Sequence, residues 1–199
     1  MKSVQGDSVR RLPAPAAKGK MSLEEVLKKR ESVRDFSSTP LTEEELAQLL
    51  WALQGRTRSW VGRTAPSAGA LYPLEIYIVL PEGVFHYLPQ DHRLARSATD
   101  DLRNALATAA LGQACVREAP AVFVIAAVYE RTARKYSNRA ERYVKMEAGH
   151  ACQNLLLQAT ALGLAAVPVG AFHDDQIQRI LALPKNHEPL YLIPVGRKR

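Results

Sequence analysis

The stretch ACQNLLLQATALGL, residues 151–164, decides the fold. Only Gln153, Asn154, Gln158 and Thr160 are polar within it, which predicts a helix buried nearly all round and ended by Gly163. The helical pattern extends back to residue 130, with an interruption expected near Ser137 and Asn138. Such a helix needs a sheet to cover it. AVFVIAAV, residues 121–128, is a continuous apolar run and reads as a central strand covered on both faces. EIYIVL (75–80) reads as a buried strand, and GVFHYL (83–88) as its hairpin partner after a Pro-Glu-Gly turn. Strands are also expected over residues 164–169 and 190–195, and helices over 100–111 and 174–183. Two capping boxes, Ser22 answered by Glu25 and Thr42 answered by Glu45, start helices reaching about Arg30 and Gln54. Residues 55–72 are rich in Gly, Ser and Pro and read as loop. The order predicts an α+β fold, a small mixed β-sheet around one long buried helix.

A chain of 199 residues is long enough for one real core. Its 47% hydrophobic and 24% charged residues are ordinary for a globular protein. No apolar run approaches the roughly 20 residues that span a bilayer, and residues 1–20 lack a signal-type apolar segment, so a cytoplasmic protein without a membrane partner is expected. The net charge of +7 could point to nucleic acid, but its location argues otherwise. Lys2, Arg10, Arg11, Lys18 and Lys20 against Asp7 give +4, and Arg197, Lys198 and Arg199 give +3. Everything between is neutral on balance, so no folded face has the basic surplus that nucleic acid requires. Residues 1–20, with Pro13 and Pro15, read as a flexible basic arm, and residues 21–199 as the folded domain. Cys115 and Cys152 form no redox motif.

Three stretches can carry chemistry. Arg30-Glu-Ser-Val-Arg-Asp-Phe36 breaks the first helix pattern; if extended, it puts Arg30, Ser32 and Arg34 on one side, with Val33 inward and Phe36 as an anchor. Two guanidiniums around a hydroxyl suit a phosphate, although the same residues also make an ordinary solvated turn. Ala65-Pro-Ser-Ala-Gly-Ala-Leu-Tyr-Pro73 is a loop of small residues closed by rigid bulk. Val167-Pro-Val-Gly-Ala-Phe172 ends a strand in two successive amides that could face an electronegative atom, or simply turn the chain into the next helix. Glu147 and His150 have the spacing of a di-iron helix, but no second copy exists, so no metal is expected. Dinucleotide and Walker fingerprints are missing as well.

Together these motifs resemble the FMN-dependent nitroreductase family, from about Ser22 to Gly196. PSAGALYPLE, KYSNRAERYVKMEAGHACQNLLL and EPLYLIPVG are similar to the branch that holds the azoline oxidases, which form thiazoles and oxazoles in modified peptides. The resemblance implies an intertwined homodimer with FMN at the subunit interface and the buried helix around Asn154 as its core. It implies that Arg30, Ser32 and Arg34 hold the FMN phosphate and ribityl chain, closed by Arg197 or Arg199. Pro66, Ser67, Ala68 and Gly69 would touch the flavin from the other subunit, and Gly170 and Ala171 would offer N–H groups near flavin N5. Lys135 and Tyr136 match a pair tied to proton removal in the azoline oxidases; the alternative is that Lys135 is one solvated cation among Arg131, Arg134 and Arg139. Ala70 departs from the family, which usually has Asn there. The implied activity is ping-pong hydride transfer, with three directions open: a dehydrogenase or oxidase acting on a small substrate, an NADH- or NADPH-dependent nitro or quinone reductase, or a non-catalytic flavin-binding subunit.

Overall fold

The computed structural model describes residues 9–58 and 62–199. Capping decides the first two helices. In each box the N3 amide donates to the cap hydroxyl, Ser22 or Thr42, at 3.2 Å, and the N3 glutamate accepts from the cap amide, at 3.0 Å for Glu25 and 2.7 Å for Glu45. They start α1 (Leu23–Lys29) and α2 (Glu43–Gln54). The remaining helices are α3 (Arg103–Ala109), α4 (Ala114–Glu118), α5 (Tyr129–Tyr136), α6 (Ala140–Ala161) and α7 (Asp174–Ile180).

The strands are β1 (Val9–Arg11), β2 (Leu74–Leu80), β3 (Gly83–Leu88), β4 (Arg93–Ala98), β5 (Ala121–Ala127), β6 (Ala165–Ala166) and β7 (Glu188–Gly196). They form one sheet in the order β1-β4-β3-β2-β5-β7-β6. Every strand pair is antiparallel; the only parallel pairing among the described residues is a single bridge from Ser32 to Ala166. The expected mixed sheet is therefore antiparallel with one parallel contact at its edge. β5 is central and buried on both faces, as its apolar run requires: Phe123 and Ile125 enter the core under α2 and α6, while Val122, Val124 and Ala126 enter the core on the other face.

Several expectations are corrected. β4, RLARSA, has no apolar run and gave no strand signal, because it needs only Leu94 inward. Residues 9–20 are not a detached arm: β1 pairs with β4, Leu12 is buried, and the Ala16 amide donates to Gln48 at 2.8 Å. The helix expected over 100–111 breaks where Leu111 and Gly112 take left-handed backbone angles. The strand expected over 164–169 shortens to β6 plus a bridge at Val169, since Pro168 has no amide to donate. α6 is not buried all round within one chain. Val144, Ala148, Ala151, Leu155 and Ala159 form its buried stripe, whereas Met146 is 48% exposed and His150 and Gln153 face outward. The interruption near Ser137 is present as a 3-10 turn, with Ser137 itself at φ 47°.

Candidate functional site

The Arg30–Phe36 stretch is extended. α1 stops as Arg30 turns to φ −60°, ψ 121°, and the Val33 amide then donates to the Ala166 carbonyl at 3.2 Å. Phe36 is fully buried and lies against Gly196; a Cβ there would sit 3.2 Å from the phenyl ring and 2.7 Å from Pro120. With Val33 packed against the core and Phe36 as anchor, Arg30 is half-buried and Ser32 and Arg34 are exposed. Their side chains make no hydrogen bond or ion pair with the described residues.

Residues 197–199 run antiparallel beside this stretch: the Ser37 amide donates to the Arg197 carbonyl at 2.8 Å, and Phe36 bridges Lys198. Both basic candidates here already have carboxylate partners. Arg197 pairs with Glu45 at 2.8 Å and donates to the Pro40 carbonyl. Arg199 lies 3.2 Å from Asp35 and 3.6 Å from Glu118. To hold a phosphate, either would have to exchange or share that partner.

Val169 pairs with Leu192, after which the chain leaves the sheet for α7. Gly170 and Ala171 are exposed, and their N–H groups make no hydrogen bond among the described residues. The Ala171 carbonyl is fixed by the Gln113 amide at 3.0 Å, so the segment is held while its donors stay free. A Cβ on Gly170 would meet nothing within 4 Å, so open space faces it. Ser32 lies beside Ala166, and four extended residues, about 13 Å, separate Ala166 from Gly170. Arg30, Ser32, Arg34, Gly170 and Ala171 thus share one edge of the sheet.

The Pro66–Gly69 loop belongs to another group. The Ser67 hydroxyl accepts the Tyr72 amide at 2.9 Å, closing a turn in which Gly69, Ala70 and Tyr72 all have positive φ, 61°, 53° and 47°. Glycine suits this positive φ, and a Cβ there would lie 3.0 Å from Tyr136 Oη and 3.1 Å from Lys135 Nζ, so both side-chain ends would have to shift slightly. The loop and the Lys135–Tyr136 pair are therefore packed together. Tyr136 is steadied by an edge-on contact with Tyr143, ring centroids 5.1 Å apart, while Lys135 is exposed. No hydrogen bond or ion pair among the described residues joins this group to the Arg30–Arg34 edge. Ala70, at φ 53°, occupies the left-handed region that Gly and Asn tolerate better than alanine.

Beneath the loop lies a polar cluster that sequence reasoning missed. Glu147 is 3% exposed, and burial pushes its carboxyl up to about 7, against the opposing pull of Ser67, Arg63 and Gln54. Arg63 donates to Gln54 Oε1 at 2.9 Å and stacks its guanidinium 4.6 Å from the Tyr72 ring centroid. Arg131 donates to the Tyr72 carbonyl at 3.1 Å and pairs with Glu75. Burial would raise the Glu75 carboxyl, but hydrogen bonds from His86, at 2.6 Å, and Arg131 outweigh it and bring it down to about 2. The available signal was a lone acid within the apolar stripe of α6. The Glu147–His150 spacing was weighed only as a metal motif and set aside for want of a second copy, and His150 faces outward.

The comparisons place this architecture in a class of α+β oxidoreductases. The chain belongs to the nitroreductase family, whose model matches residues 27–197. A protein of Methanocaldococcus jannaschii whose name places it among the nitroreductases is 48% identical over 184 residues, 89% of this chain and 92% of that one. The microcin B17-processing protein McbC of Escherichia coli is 29% identical over 134 residues, 62% of this chain and 49% of its own length. Among solved structures, one from Ralstonia eutropha, also named for the nitroreductases, superposes with a TM-score of 0.88 at 32% identity, covering 96% of this chain and 90% of that one. The NADPH:FMN oxidoreductase of Vibrio harveyi shares the fold, with a TM-score of 0.67 at 24% identity over 88% and 68% of the two chains.

Proposed function

We propose that this protein is an FMN-dependent oxidoreductase that works as a homodimer, each FMN lying between two chains. The observation that carries this reading is the row of unengaged donors on one sheet edge. Arg30, Ser32 and Arg34 would hold the phosphate and ribityl chain, and the Gly170 and Ala171 amides would face the electronegative edge of the isoalloxazine. FMN fits these residues: Arg30 and Arg34 form no ion pair among the described residues, and open space faces Gly170. Bound FMN supplies hydride transfer, which no side chain of this protein can perform.

The second group comes from the other chain. Pro66, Ser67, Ala68 and Gly69 would touch the flavin across the interface, and because Lys135 and Tyr136 pack on Gly69, that chain brings them too. The dimer surface includes the outward side of α6 and α1. Leu23 and Leu27 are 60% and 54% exposed, and Leu23, Trp51, Leu157 and Ala161 line one groove. Burying these side chains removes apolar area from water at about 25 cal/mol per Å². Among the described residues no helix is long and apolar enough to cross a membrane.

The direction we favour is dehydrogenation of a small substrate. Lys135 would take the substrate proton as the hydride leaves, with Tyr136 as its proton partner. An exposed lysine is a poor base, so this role requires the covering chain to desolvate Lys135. The second reading, an NADH- or NADPH-dependent reductase, draws on the exposed Arg134 and Arg139 near Lys135 as a site for nicotinamide phosphates. The test is an absorption spectrum of the purified dimer, with added FMN, followed by anaerobic NADH and NADPH. Flavin bands without bleaching support the dehydrogenase, and bleaching supports the reductase. A protein that takes up no FMN refutes both.

A further inference from the structure

The loop over residues 66–73 meets α5 at three points. At its end the Val128 amide donates to the Pro73 carbonyl at 2.8 Å, and one step earlier Arg131 Nη1 donates to the Tyr72 carbonyl at 3.1 Å. At its tip Gly69 lies beside Lys135 Nζ and Tyr136 Oη. Residues 128, 131 and 135 recur at three- and four-residue spacing, so the loop runs along one stripe of the helix. Among the described residues, the Arg131 contact is the one side-chain hydrogen bond between the two. Its acceptor is unusual. Tyr72 has φ 47° and Ala70 φ 53°, left-handed angles that persist in residues with side chains only where the surroundings over-determine them. The Tyr72 amide is held by the Ser67 hydroxyl at 2.9 Å, its ring by Arg63 stacked at 4.6 Å, and its carbonyl by Arg131. Of these three partners, only Arg131 belongs to the helix that carries Lys135 and Tyr136.

Arg131 is itself braced. Its Nη2 pairs with Glu75 Oε1, and His86 Nε2 lies 2.6 Å from Glu75 Oε2, so both carboxylate oxygens are engaged. Glu75 belongs to β2 and His86 to β3, where the imidazole stacks on Tyr77 with ring centroids 4.6 Å apart. A guanidinium fork serves two acceptors in fixed directions at once, which an ammonium group does not. We propose that Arg131 is a positioning residue for Lys135 and Tyr136, its guanidinium locking α5 and the 66–73 loop to the sheet so that the pair stays over Gly69. The inference rests on the reading that this pair acts on a substrate at FMN. Arg131 lies four residues before Lys135, about 6 Å along the helix axis, so it acts on the pair without reaching it. The helix needs such a lock. It has eight residues and ends at Ser137 with φ 47°, and a helix this short holds its place through tertiary contacts.

The test is NMR of the full chain without flavin, reading the nuclear Overhauser contact between the Tyr136 ring and the Gly69 α protons, together with amide exchange over residues 129–136. The wild type should show the contact. Arg131→Gln should lose it and speed exchange of the α5 amides about tenfold, the scale of a hydrogen bond to a charged group, while the β5 amides keep wild-type protection. Arg131→Lys keeps the charge without the fork and should not restore the contact. Glu75→Gln should act in the same direction more weakly, and should add little once Arg131→Gln is present. A contact and α5 exchange unchanged in Arg131→Gln overturn the proposal, and so does a full contact in Arg131→Lys. Equal loss of protection in β5 and α5 also overturns it, since Arg131 would then support the whole domain. FMN titrations of the same samples separate the two readings. A wild type that takes up no FMN refutes the cofactor while the dependence of the contact on Arg131 stands; FMN uptake with a contact indifferent to Arg131 refutes the role of Arg131 alone.

Discussion

Replacing Glu147 by Gln should stabilise the protein in alkaline solution and do little in acid. Burial moves the carboxyl from an ordinary 4.5 to about 7, so between those values the folded protein retains a proton that the unfolded chain has lost. Stability contributed by this group therefore falls as pH rises through that window, and the full cost is present above 7. The displacement corresponds to a penalty on the order of 3 kcal/mol. Gln has nearly the same shape and no charge, so it escapes that penalty, although its amide needs its own partners. Comparing two pH values cancels any such pH-independent effect. Urea unfolding of wild type and Glu147→Gln at pH 5 and pH 8.5, at one protein concentration, should show the variant's relative stability rising by about 3 kcal/mol between them. For a chain of this length each kcal/mol shifts Tm by roughly 2–4 °C. An unchanged difference at the two pH values would refute the reasoning, since Glu147 would then titrate as an ordinary acid.

Other substitutions separate the two halves of the site. Arg34→Ala should weaken FMN binding by roughly 1.5–3 kcal/mol, read by flavin fluorescence titration, if it donates to the phosphate; unchanged affinity removes it from the site. Lys135→Ala should leave flavin content intact and slow oxidation of a dehydrogenase substrate, and unaltered turnover would make Lys135 a surface charge. Gly69→Ala should cost about 1–2 kcal/mol in thermal unfolding, because φ 61° is unfavourable for alanine and the new methyl meets Lys135 and Tyr136. A neutral result there would mean that neither the left-handed backbone nor the neighbouring pair constrains this position.

Much of the local geometry around the candidate site was legible because its parts are local. The extended Arg30–Phe36 stretch follows from a capping box that sets where α1 begins and from alternation that aims three polar side chains one way. The free amides of Gly170 and Ala171 follow from a strand that ends at Val169. The break at Ser137 was visible as polar residues interrupting a helical pattern. What was not legible depends on partners distant in sequence. β4 is a strand because β3 and β1 lie on either side of it, not because of its own composition. Glu147 looked like half of a metal motif, and its burial beneath Ser67 depends on where α6 crosses the loop.

The amino-acid sequence by itself determined the α+β class, the central apolar strand and the long helix, because periodicity and capping act over a few residues. Only the tertiary structure decided that the sheet is antiparallel, that residues 9–20 join the body of the protein, that α6 keeps one face open, and that Lys135 and Tyr136 travel with Gly69. Those features depend on which segments meet, such as Val9 with Ala95 and Gly69 with Lys135, and no local preference encodes which surface a segment will meet.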